Sequence, residues 1–228
     1  MTAASGAPVQ RRKADTATTM ESVDRVRAEA RMLCEAEEQA VSIRGFGGFE
    51  VPHLVRADAY ARRRWVWAAQ HKLWRPAADA VVELLPRRQA LVNRCRPVRM
   101  SLVVSEGAII ALENETAPDT AVAQLRYLRD LTREPAHCVR ILHYGTRVPW
   151  APGPAFTIVT DPAGHDSVFC ESLTPNDFTR VRDERRRREV IRHFTAMNEV
   201  CFDQARSRDR IDSAIQYCQK QRRCTGSR

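Results

Sequence analysis

No apolar run in this 228-residue chain approaches the ~20 residues that a membrane-spanning helix needs. The N-terminal segment MTAASGAPVQRRK has none of the apolar core that a secretory leader carries. No CxxC pair occurs, and the seven cysteines are odd in number and scattered. That pattern argues against a disulfide framework or a structural zinc site and for a reducing, cytoplasmic setting. The spacings HExxH, HxxxH, GxSxG, GxxxxGK[ST] and GxGxxG are all missing. Zinc-hydrolase, serine-hydrolase, P-loop and dinucleotide-binding readings therefore have no anchor, and neither metal nor cofactor is expected. Lysine is scarce, three residues against 34 Arg. GC-rich codon usage accounts for this plainly, and selection for guanidinium forks that grip phosphate is the sharper alternative.

What is present is globular. Hydrophobic residues make up 43% and charged residues 29% of the chain, enough for a buried core. The net charge of +9 invites a nucleic-acid reading, but its distribution weakens it. Residues 1–20, 180–192 and 203–228 carry +2, +4 and +4, which leaves the body at −1. The basic tails alone would bind nucleic acid without sequence preference and with steep salt dependence.

Residues 1–20 and 218–228 read as polar, disordered tails around a single domain over 21–217. Val23, Val26, Ala30 and Leu33 mark an amphipathic helix over 21–40. Three glycines and Pro52 break regularity over 44–55. Helices follow from Asp58 and over 76–95, the latter ended or kinked at Pro86. Met100–Val104 reads as a strand, and GAIIAL (107–112) is ambiguous. Thr116 and Pro118 start a helix striped by Val122, Leu125, Leu128 and Leu131. Cys138–Leu142 reads as a strand, and Ala155–Thr160 with Ser167–Glu171 as a hairpin around DPAGHD. Phe178 opens a long helix to about 204 with Ile191, Phe194, Met197 and Cys201 on one face, and Ser207 caps a last helix. The expected fold is mixed α/β: a small sheet of three to four strands bracketed by helices.

Several segments, taken in order, carry a family likeness: FEVPHLVRADAYAR (49–62), RRQALV (87–92), SLVVSEGAI (101–109), AVAQLRYLRDL (121–131), VRIL (139–142), GPAFTIV (153–159), SVFCES (167–172) and the closing helices. Through them the chain resembles the C-terminal domain of unknown function of actinobacterial Scr-type, antitoxin-like helix-turn-helix transcriptional regulators. The resemblance implies a hetero-complex with a small companion protein. Members usually carry a helix-turn-helix domain of on the order of 60 residues ahead of this one. Here the residues before the match offer one helix, so the DNA-reading part is expected to be absent. The family tends to have Val-Pro-Gly-Leu followed by Leu-Gln-Thr. This chain has His53 in place of the glycine and then Val55, Arg56 and Ala57, which adds a fixed cation with a planar donor fork to that loop.

Candidate site residues carry two readings each. His53, Arg56, Asp58 and Tyr60 form either an anion pocket, with Arg56 as clamp and His53 or Asp58 as proton acceptor, or a helix cap with packing around it. Glu106 and Glu171 stand at the ends of predicted strands, as an acid–base or ammonium-binding pair or as structural ion pairs. GFGG (45–48) reads as a turn rather than a phosphate cradle. Trp65, Trp67 and Trp74 serve a stacking platform or core packing, and Trp150 a lid or a loop anchor. The run RVRDERRRRE (180–189) touches phosphates or forms a solvated face. His137, His143 and His165 lack metal spacing.

Two functions follow as expectations. The first is a small-molecule- or partner-protein-binding domain working with a small companion. The second is a subunit of a two-component natural-product enzyme acting on an anionic substrate, such as an aziridine-forming cyclase that eliminates sulfate. In the second, Arg56 would hold the leaving sulfate, and Asp58, Glu106 or Glu171 would hold or deprotonate the attacking amine.

Overall fold

The computed structural model describes residues 24–70, 84–92, 98–115, 117–146, 154–171 and 178–225. Helix α1 covers 24–39 and leads into strand β1 (Ser42–Phe46). A 3-10 turn (His53–Val55), α2 (Asp58–Gln70) and α3 (Leu85–Val92) come next. Then follow β2 (Arg99–Ser105), α4 (Glu106–Glu113), α5 (Pro118–Leu131) and β3 (His137–Leu142). The chain ends with β4 (Phe156–Thr160), β5 (Asp166–Glu171), β6 (Phe178–Arg180), α6 (Glu184–Val200) and α7 (Gln204–Thr225).

The sheet has six strands in the order β3-β2-β1-β4-β5-β6, against the three to four expected. Its first half is parallel, with Ile43 beside Met100 and Leu102 beside Val139. From β1 outward the other half is antiparallel, with Ile43 beside Val159, Ile158 beside Val168 and Phe169 beside Arg180. The parallel strands need crossovers, and the helices between them supply these.

Both missed strands, β1 and β6, have physical explanations. β1 was hidden by its glycine. A Cβ on Gly45 would sit 3.1 Å from the Phe156 carbonyl oxygen and 3.4 Å from Leu102, so close approach of the neighbouring strands selects glycine in mid-strand. β6 was read as the first turn of α6. The helix starts instead at Glu184, because the Asp183 carboxylate accepts the Arg186 N–H at 2.7 Å and caps it there. The β4–β5 hairpin forms as expected, and Gly164 takes the left-handed φ of +85° that its turn requires.

Alternation along the strands builds two layers. On one face Ile43, Met100, Leu102, Val104, Val139 and Ile141 pack beneath α4, α5 and α7. Leu33 of α1 meets Val159 and Phe169 on the same face. On the other face Phe46, Val103, Phe156, Ile158 and Val168 pack against Phe194 and Met197 of α6.

The two closing helices form as expected, but the first ends at Val200 rather than about 204 and the second starts at Gln204 rather than after Ser207. Arg140 of β3 ends α6 by donating to the carbonyls of Asn198, Cys201 and Phe202 at 2.7, 3.1 and 2.8 Å. Asp203, not Ser207, caps α7, accepting the Arg206 N–H at 2.8 Å. Ser207 is fully buried and accepts the Ile141 N–H at 3.0 Å. α7 continues to Thr225, so the stretch after 218 starts as helix and not as a loose tail. Among the described residues no helix is long and apolar enough to cross a membrane.

Candidate functional site

The carboxyl ends of β1, β2 and β3 lie side by side, and the residues that follow each strand meet there. Ser105 ends β2 and caps α4, accepting the Ala108 N–H at 3.2 Å while its hydroxyl donates to the Gly48 carbonyl at 2.7 Å. Gly48 itself takes a left-handed φ of 64°, which lets the loop after β1 fold down onto α4. GAIIAL is helical because this serine side chain satisfies a first-turn N–H.

Glu106, one residue on, is a structural hub. It accepts the Tyr144 N–H at 2.9 Å and the Arg210 Nε–H at 2.9 Å, and Arg210 reaches on to Glu113 at 2.7 Å. Burial pushes the Glu106 carboxyl up, but the Tyr144 N–H and the Arg210 guanidinium outweigh it and hold it below the usual glutamate range.

The stretch carrying His53 and Arg56 is held from two sides. Arg56 is buried, and its guanidinium donates to the Val51 carbonyl and to Glu50, both at 2.8 Å. Arg64 of α2 also pairs with Glu50. From α5 the fully buried Gln124 accepts the Ala57 N–H at 2.7 Å and donates to the Val55 carbonyl at 2.8 Å. Sequence reading missed Gln124. Its signal was a polar residue on the same buried face as Ala121, Leu125 and Leu128.

The predicted residues thus separate into groups. His53 and Glu171 come together, with Nε2 3.8 Å from Oε1. Tyr60 is buried in the core close to Arg56, and its phenol is pushed up by burial and partly pulled back by that guanidinium. Asp58 is exposed and pairs with Arg62 at 2.8 Å. Glu106 belongs to the Arg210 network. Trp74 and Trp150 lie outside the described residues, and Trp65 and Trp67 lie in α2. The cleft bordered by Gly45, Pro52, His53, Leu102 and Thr157 measures about 10 Å³, room for one water at most. Among the described residues this cleft leaves no substrate-sized space next to His53. Among the described residues no three His, Cys, Asp or Glu side chains gather to hold a metal.

Among the described residues two surfaces stand out as open. At the carboxyl edge, Phe49, Ile110 and Tyr144 are exposed by 66%, 40% and 82%. They flank one helix: Gly48, next to Phe49, is tied to Ser105, and the backbone of Tyr144 is tied to Glu106. On the opposite face, a groove of about 690 Å³ runs between α6 and the β4–β5 hairpin, lined by Phe156, Cys170, Arg186, Val190 and His193 among others. The sequence offered the Arg run as one side of it but no signal for Phe156 and Cys170, which meet only through strand register.

A family model described as Domain of unknown function (DUF5753) matches residues 30–213. No curated protein and no solved structure matches the chain.

Proposed function

This chain belongs to the family described as Domain of unknown function (DUF5753), and we propose that it is a binding domain that works in a hetero-complex with a small companion protein. The observation that carries the reading is α4. Its inward side, Ala108, Ile109 and Leu112, is buried. Its outward side, Gly107, Ile110 and Ala111, is apolar as well. Arg210 takes up Glu106 and Glu113, the two carboxylates of this helix, so the outward strip of Gly107, Ile110 and Ala111 presents apolar surface of the kind that marks an interaction site. Exposed Phe49 and Tyr144 extend the same patch, and exposed aromatic residues of this kind anchor protein interfaces. The occupant is the small companion implied by the likeness to antitoxin-like regulators, presenting an apolar helix to Gly107 and Ala111, where small side chains permit close approach. A small anionic molecule is the second expected ligand.

A second reading, a subunit of a two-component natural-product enzyme acting on an anionic substrate such as a sulfated aziridine precursor, draws on the His53–Glu171 pair. A histidine beside a carboxylate is a usable base. The Nε and one Nη of Arg56 serve its own loop, which removes those donors from the sulfate clamp that this reading assigned to it.

Native mass spectrometry of the tagged full chain, purified gently from its own host, tests the first reading. The expected result is a retained small protein that is lost from Ile110→Glu. A bare chain from both preparations overturns it.

A further inference from the structure

The groove on the α6 face is built for a different kind of ligand from the α4 patch. We propose that it binds an amphipathic anion, a carboxylate, phosphate or sulfonate head on an apolar body. The inference deepens the binding-domain reading and rests on it.

Size comes first. The groove holds about 690 Å³, within the ~300–1,000 Å³ of small-molecule sites. A second recess of about 390 Å³, bordered by Glu189, Arg192, His193 and Ala196, continues it along α6. The two share Glu189 and His193, so an elongated body can lie along both.

The floor is apolar. Phe156 and Cys170 stand opposite each other across the β4–β5 ladder. The His193 ring meets Phe156 edge-on at 6.0 Å and 84°. Burial pushes His193 below its ordinary value, so at neutral pH it walls the groove without adding charge. Val190 of α6 lines the same side.

Charge selects the head group. Both carboxylates that line the groove are engaged: Asp183 accepts the Arg186 N–H at 2.7 Å, and Glu189 pairs with Arg185 at 3.1 Å. The guanidiniums of Arg186 and Arg192 have no carboxylate partner among the described residues. Arg186 projects its field into the groove, since it pulls down the Cys170 thiol that burial pushes up. An unpaired fork at the mouth of an apolar groove suits an oxyanion.

Two fluorescent probes with the same rings test this on the full chain. Anilinonaphthalene sulfonate carries the charge, and N-phenylnaphthylamine does not. We expect the sulfonate to bind at least ~10-fold more tightly, a gap of about 1.4 kcal/mol. Arg186→Gln, an exposed position, removes most of that gap and leaves the uncharged probe unaffected. Val190→Trp fills the groove itself, which Val190 lines, and weakens both. If Arg186→Gln changes neither probe while Val190→Trp weakens both, the groove stands as a binding site and the anionic class is overturned. If Val190→Trp moves neither probe, the groove is not their site and the proposal falls. Retention of the companion is read independently, so its loss leaves this result intact.

Discussion

Replacing Gln124 tests how the loop under the carboxyl edge is held. The side chain is fully buried and bonds both ways to the 55–57 backbone, at 2.7 and 2.8 Å. Gln124→Leu keeps the volume and removes both partners. It leaves the buried Val55 carbonyl and the half-buried Ala57 N–H unpaired, each costing about 1–3 kcal/mol. Added apolar burial returns on the order of 1 kcal/mol, so the net loss is about 1–5 kcal/mol. For a domain of this size that lowers Tm by roughly 2–20 °C. Gln124→Glu gives a sharper signature. A carboxylate still accepts from Ala57 but cannot donate to Val55, and burial raises its folded-state pKa above the unfolded ~4.3. The folded variant then holds its proton where the unfolded chain has lost it, so its stability falls as pH rises through that window. Urea unfolding of both variants at neutral and acidic pH reads this out. A Gln124→Leu loss below ~0.5 kcal/mol, or a Gln124→Glu defect that does not shrink on acidification, refutes the clamp.

Further predictions concern the α6 terminus and the Glu106 hub. Arg140→Met strips three donors from the carbonyls of Asn198, Cys201 and Phe202; thermal melts should show a loss of about 2–4 kcal/mol, and unchanged stability would exclude Arg140 as the stop of α6. Glu106 is held below its ordinary value of 4.5. It therefore contributes stability above that pH, which is lost as pH falls through the depressed value. Glu106→Gln should flatten the acid limb of the stability curve, and an acid limb identical to that of the unsubstituted chain counts against the hub.

Much of this architecture can be read from the chain because periodicity and caps are local. The stripe Val122–Leu125–Leu128–Leu131 and the Pro118 start specify α5. The hairpin around Gly164 needs only neighbours in sequence. What stayed hidden depends on contacts distant in the chain. Gly45 reads as a turn residue until the Phe156 backbone lies against it. Ser207 reads as a cap until β3 supplies the Ile141 N–H. The site was harder still. Arg56 was expected to offer its fork to an anion, yet Glu50 and the Val51 carbonyl take two of its donors, and a guanidinium is indifferent to whether its acceptor is ligand or loop. His53 and Glu171 were proposed from separate segments, and the crossing of the chain over the sheet brings them together. The exposed side of α4 was legible only in part, since the apolar run GAIIAL suits a helix or a strand and its burial depends on what β2 and α7 cover.

The α4 surface carries the central claim, and retention of a small companion by the gently purified chain tests it most directly. Native mass spectrometry should show a heterodimeric mass for the unsubstituted chain and for Arg186→Gln, and the mass of the chain alone for Ile110→Glu. The same heterodimer from Ile110→Glu, or a bare chain from all three, would contradict the assignment of that surface.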